Sequence, residues 1–248
     1  MFNFFSKNKC IDERYYLDGN DYNHIVNVLR FKVGEKFLVS FDGKSDLCSL
    51  ESFSDNQVVC KVEQENYYDT SLPISIYLFQ GLIKGDKMDF VVQKAVELGV
   101  DCIVPVQMAR SIVKLDDKKK VERQKRLGAI ALSAAKQSKR NAVPEVYNVL
   151  NFNQAVDFAK SSLDCILVPY ECHNGMQSTL AALKGLKAGS KVGIFIGPEG
   201  GFEQKEIDLI TNNGGVTISL GKRILRAETA SLTALSMCML YAETILGE

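Results

Sequence analysis

The chain has 248 residues, 46% hydrophobic and 24% charged, which excludes collagen, coiled coil and intrinsic disorder and suits one large globular domain or two modest ones. Thirty Lys and Arg balance thirty Asp and Glu, so no whole-molecule field draws the protein to nucleic acid or a membrane, and any such attraction is local. Seven cysteines, odd in number and without a C-x-x-C pair, read as small core residues in a reducing cytosol, not as a disulfide framework.

The opening MFNFFSKNKC is charged too early for a signal peptide, and no apolar run reaches the ~18 residues of a membrane span. The expected location is therefore cytoplasmic, without a membrane partner. Next comes DYNHIVNVLR, residues 21–30, a short helix with Asp21 as its expected N-cap. Strands are expected at 36–41, 47–53 and 57–62, separated by the turns DGKSD and SDN, so residues 1–70 form a small β-barrel-like module.

After the turn-like YYDTSLP at 67–73 the texture changes. Apolar runs of strand length at 74–80, 102–106, 165–168, 192–196 and 216–220 alternate with helical patterns at 86–98, 153–159, 176–183 and 203–212, and a final helix spans 229–246. Strands buried on both faces and joined by helical crossovers specify an α/β domain over 73–248 with a mainly parallel sheet. In such sheets ligands collect beyond the carboxyl ends of the strands.

Charge is unevenly shared. Residues 1–70 carry a net −4, residues 71–150 a net +6 and residues 151–248 a net −2. Ten basic residues against three acidic ones crowd positions 114–140. Leu127, Ile130, Ala131 and Ala134 follow helical spacing there, which gives this helix a buried face and puts Lys136 and Arg140 on one exposed side. Two readings stand: a solvated helix face, or a stripe that binds phosphates.

Three turns after strands are chemically loaded. Gly197-Pro198-Glu199-Gly200-Gly201-Phe202 is a tight turn whose backbone can approach a ligand closely, and it matches neither G-x-G-x-x-G nor a P-loop. A nucleoside held by backbone groups suits it better than a dinucleotide or triphosphate. The second turn, residues 221–230 (GKRILRAETA), leads into the last helix, where Glu228 and Thr229 are placed to cap free N–H groups. Capping leaves Arg223 and Arg226 unexplained, since cations are misplaced at a positive helix end unless an anionic partner is present. The third turn follows Val168 with Pro169, Tyr170, Glu171, Cys172 and His173. Its Cys and His match no usual zinc spacing, so no metal is expected, and with only His24 and His173 in the chain and no G-x-S-x-G elbow, no hydrolase triad is expected.

These turns resemble the two most specific motifs of a family of bacterial 16S ribosomal RNA uridine-N3 methyltransferases within the SPOUT superfamily. The motifs here are GPEGGF (197–202) and LGKRILRAETA (220–230), with supporting matches in KGDKMD and QKAVELG (84–99), Pro105, Arg110-Ser111, AAKQSKR (134–140) and Pro144. His24, Val28-Leu29-Arg30 and Phe41-Asp42-Gly43 are similar to the family's PUA-like RNA-binding domain.

The resemblance implies a C-terminal deep trefoil knot, an exception to the unknotted rule. It also implies S-adenosylmethionine as methyl donor, held by Val168, Pro169, Tyr170, Glu171, Ile196, Gly197, Pro198, Glu199, Gly200, Gly201, Leu220, Gly221, Ile224, Leu225, Arg226, Thr229 and Ala230. The implied substrate is 16S rRNA in the 30S subunit, at U1498 in standard 16S numbering. RNA contacts fall on Arg30, Lys84, Arg110, Lys136, Gln137, Arg140 and Arg223, and the active form is a homodimer. Arg226 is the expected stabiliser of charge on the uracil ring, and Glu228 the expected partner of Arg226 or proton acceptor. Other RNA bases or ribose as target, and a non-enzymatic RNA-binding role, are the alternatives.

Overall fold

The computed structural model describes residues 1–54, 56–170 and 175–247. The chain divides into two compact units, residues 1–71 with 135–143, and residues 72–134 with 144–248. The break falls within the turn-rich stretch at 67–73. The end of the basic helix, by sequence a part of the second domain, belongs with the first unit.

The first unit contains β1 (Asn3–Phe5), β2 (Arg14–Asp18), α1 (Gly19–Asn23), a π-helical turn (His24–Val28), β3 (Lys36–Phe41), β4 (Lys44–Ser54) and β5 (Gln57–Gln64). The sheet order is β1-β3-β4-β5-β2, with β1 parallel to β3 and the other pairs antiparallel. Period-two alternation sends Cys48 and Leu50 of β4 and Val58 and Cys60 of β5 into one core with Phe4, Leu17, Ile25, Phe37 and Val39.

Two expectations are corrected here. The first helix starts at Gly19 after Asp18, not at Asp21, and the Asp21 carboxylate instead accepts a 2.5 Å hydrogen bond from Lys136 Nζ. Lys136 also stands 5.6 Å above the Phe4 ring. Lys136 and Arg140 are therefore not a pair on an exposed face: Arg140 is only 6% exposed, and its carbonyl accepts from Asn3 Nδ2 at 2.9 Å. The physical reason is the positive φ of Lys139, +58°, which ends the helix and turns the chain so that residues 135–143 bury in the first unit. Asn141 is buried in the same way, accepting from Thr70 N at 2.6 Å.

The second unit runs β6 (Ser75–Gly81), α2 (Lys87–Glu97), β7 (Cys102–Gln107), α3 (Asp117–Ser138), β8 (Glu145–Val146), β9 (Leu150–Asn151), α4 (Phe152–Ser162) and β10 (Cys165–Pro169). It continues with α5 (Met176–Lys184), β11 (Lys191–Ile196), α6 (Gln204–Asn212), β12 (Gly215–Ile218), α7 (Ala227–Tyr241) and a π-helical turn (Ala242–Leu246). All pairings in this sheet are parallel, in the order β12-β10-β11-β6-β7-β8, with the short β9 also on β7. Phe79 and Phe195 stack at 4.2 Å on the central strands, and Phe152, Val156, Ile207 and Ile210 of α4 and α6 close the core over them.

From the edge strand β12 the chain returns to the middle of the sheet, where α7 packs on β11, β6 and α2. Residues 227–246 form a 20-residue helical stretch apolar enough to pass for a membrane span by length and composition, contrary to the expectation that no run is long enough. Thr, Ser and Glu interrupt its apolar residues and hide it from a search for unbroken runs.

Candidate functional site

Because every strand of the second sheet is parallel, the chain leaves each one at the same edge. Register brings the exits together: Pro169 lies beside Ile218, Leu167 beside Ile194, Ile196 beside Gln80 and Gly81 beside Val106. Tyr170 N–H donates to the Ile218 carbonyl at 3.0 Å, and Thr179 Oγ1 donates to the Ser219 carbonyl at 2.6 Å. Tyr170 at the exit of β10 and the loop after β12 therefore meet, and the turn after β11 leaves the same edge of the sheet.

The glycine turn is clamped from several sides. A side chain at Gly81 has no room, since its Cβ would stand 2.6 Å from Pro198 N, and one at Gly197 would stand 3.1 Å from the Gly201 carbonyl carbon. Glu199 Oε1 accepts from the Lys84 N–H at 3.0 Å, and Arg110 Nη1 donates to the Gly200 carbonyl at 3.1 Å. Below the turn the buried Glu206 carboxylate accepts from the N–H groups of Ala109 and Glu203, at 3.0 and 2.8 Å. Glu203 itself, hydrogen-bonded by Lys205, is held below the usual carboxylate pKa.

By contrast, Gly201 (φ +67°) and Gly221 (φ +112°) have open space where a side chain would project. Both positions need the left-handed backbone that glycine adopts freely, and both leave main-chain atoms uncovered by a side chain. Polar capacity also lies close by: Gln80 is fully buried at the end of β6 and accepts from Ser231 Oγ at 2.5 Å, which ties β6 to α7.

The second loop ends at the N-terminus of α7, where Arg226 is the N-cap and makes no side-chain capping bond. Arg226, Arg223, Lys222, Ile224 and Thr229 are exposed, whereas Leu220, Gly221, Leu225 and Ala230 are half-buried. Glu228 does not reach for Arg226. It pairs with Lys87 of α2 at 3.7 Å, and its Oε2 is buried without a hydrogen-bond partner among the described residues. With Phe90, Leu232, Met237 and Leu240 it lines an open groove of about 510 Å³ along α7.

The structure thus gathers the expected residues 168–170, 196–201 and 220–230 at one edge, with Lys84 and Arg110 bound to the glycine turn. Glu171, Cys172 and His173 lie outside the described residues. Arg30 and Gln137 are exposed in the first unit. Sequence reading missed Gln80, Lys87, Glu206 and Ser231. Only Glu206 carries a local signal, as the third residue after the N-cap Glu203 in a reciprocal capping box. The basic stripe is also less bare than its composition suggests, since Lys119, Lys120 and Arg126 pair with Asp116, Asp117 and Asp89.

An RNA methyltransferase domain model matches residues 70–239, and an RNA methyltransferase PUA domain model matches residues 17–63. The chain is 41% identical over 236 residues to ribosomal RNA small subunit methyltransferase E of Bacillus subtilis, covering 94% of this chain and 92% of that protein. It superposes on the Neisseria gonorrhoeae ribosomal RNA small subunit methyltransferase E, solved bound to S-adenosyl methionine, with a TM-score of 0.80 and 30% identity over 99% and 98% of the two chains. A Legionella pneumophila methyltransferase structure with bound SAM gives 0.81 and 30% over 96% of each chain.

Proposed function

The chain belongs to the ribosomal RNA small subunit methyltransferase E family, and from that premise we propose that it transfers a methyl group from S-adenosylmethionine to N3 of one uridine of 16S rRNA, U1498, in the small ribosomal subunit. The observation that carries this reading is that β10, β11 and β12 end side by side at one sheet edge, where the clamped GPEGGF turn and the loop begun by Gly221 leave the sheet. The fit to an adenosine-bearing donor is good: clamped glycines supply shape, backbone groups supply hydrogen bonds, and Tyr170, Leu220 and Leu225 supply half-buried apolar walls. Bound there, the donor supplies an activated sulfonium methyl.

The protein's own side chains handle the rest. Uracil N3 accepts a methyl only after losing its proton, and the resulting negative charge spreads onto O2 and O4. Arg226, exposed at the head of α7, stabilises that charge, and a fixed cation in a partly dry site acts more strongly than one in water. The orphan Oε2 of Glu228 takes the proton. Arg30, Lys84, Arg110, Gln137 and Arg223 meet the phosphate backbone, a contact that positions RNA without reading its sequence.

Two further features belong to the proposal. The return from β12 at the sheet edge to α7 at its centre supports a trefoil knot around the donor. The apolar groove on α7, with Phe90 and Leu240 exposed, supports a homodimer in which a second copy covers it. A cytoplasmic site of action follows from the ribosomal substrate. Incubation with labelled donor and 30S particles, followed by nucleoside analysis, tests the reading. It is expected to yield 3-methyluridine, and label in another base or in ribose overturns the assigned position.

A further inference from the structure

Ile224 is 86% exposed, more than any other large apolar side chain among the described residues. It lies in the loop between β12 and α7, and its sequence neighbours Lys222, Arg223 and Arg226 are exposed without an ion-pair partner among the described residues. Gly221, at φ +112° with open space beside it, begins this loop.

A single exposed isoleucine is unremarkable on a surface. One surrounded by three unpaired cations is poorly matched to an apolar protein face, because burial there strips water from charges that gain nothing in return. Folded RNA satisfies both chemistries at once. Its phosphates receive Lys222 and Arg223, its extruded base meets Arg226, and a break in its base stack receives an apolar side chain.

We infer that Ile224 is a wedge that enters the base stack of the RNA and fills the place left when the target nucleotide is turned out towards the donor. This rests on the methyl-transfer reading above and deepens it. A base buried in a stack exposes its N3 only when extruded, and extrusion leaves a gap that water fills poorly. An aliphatic group in that gap holds the extruded state open, while Lys222 and Arg223 beside it fix a flanking phosphate and Arg226 faces the extruded base. The resemblance counts Ile224 among the donor-holding residues; with its side chain so exposed, any such contact falls to its backbone, and the side chain acts on the population of reactive RNA.

The test compares Ile224→Leu, Ile224→Ala and Ile224→Ser with the wild-type chain on 30S particles, with donor affinity measured by calorimetry and mass by sedimentation. The Ala and Ser variants are expected to lose about ten- to a hundredfold in kcat, the range set by unstacking one base step, while Leu stays within about threefold. Donor Kd and oligomeric mass are expected to be unchanged in all three. Full activity of Ile224→Ser overturns the wedge. So does a matching loss of donor affinity, which places the side chain in the donor pocket, or a drop in mass, which makes it a contact between copies. A wild-type chain that methylates no RNA removes the functional reading and the wedge together, whereas an active wild type with an unaffected Ser variant removes the wedge alone.

Discussion

Arg226 and Glu228 are two positions apart on the same helix end yet face different surroundings. Arg226 is exposed at the N-cap of α7, and Glu228 turns toward Lys87 and the α7 groove. Arg226→Ala is expected to abolish methyl transfer while donor affinity, measured by calorimetry, stays near wild type; near-normal turnover retires its assignment. Their chemical types were legible in the sequence because a cation at a positive helix end demands an anion. The Lys87 partner was not, since Lys87 lies on α2 and no local pattern pairs it with α7. Burial pushes the thiols of Cys102 and Cys238 up to about 12 from an ordinary 9.0. The folded chain therefore keeps protons that the unfolded chain releases above pH 9.0, so this contribution to stability is complete below that pH and is lost as pH rises towards 12. Urea midpoints from pH 8 to 11 are expected to fall at the alkaline end, less steeply in a Cys102→Ala, Cys238→Ala double variant. Equal slopes count against it.

At the scale of elements, the strongly periodic segments were legible: β3, β11, α2 and α6 follow from alternation or helical spacing. The two- to five-residue strands β1, β2, β8 and β9 were not, because so short a run shows no period and gains its pairing from distant partners. The end of α3 misled for a related reason. Spacing fixes which residues share a face but not what covers it, and here the first unit does, with Asp21 taking Lys136. Lys136→Ala is expected to lower stability by about 1–3 kcal/mol, the usual worth of a partly buried charged hydrogen bond, with no change in the salt dependence of RNA binding. Chemical denaturation and binding at several salt concentrations check both halves. In the glycine turn, Gly81→Ala forces a Cβ to within 2.6 Å of Pro198 N. It is expected to cost about 1–3 kcal/mol and to weaken donor binding, because the displaced turn is the one proposed to hold the donor. Calorimetric affinity equal to wild type contradicts that coupling.

For the whole molecule, two domains of different texture and a parallel sheet were readable from composition and pattern. The grouping of residues 135–143 with the first unit was not, since sequence order hides a chain that returns. The proposed homodimer rests on the α7 face. Leu240→Glu, at a position 61% exposed in the single chain, is expected to convert a dimer to a monomer in sedimentation equilibrium, and an unchanged mass removes α7 as the contact between copies. The edge formed by β10, β11 and β12 is proposed to present a donor to one extruded uridine, and primer extension on 30S particles after reaction reads this out, because a methyl on N3 blocks base pairing. This arrangement predicts a single new donor-dependent stop at U1498, absent with Arg226→Ala. Donor-dependent methylation that leaves no stop there, or stops scattered over many positions, contradicts it.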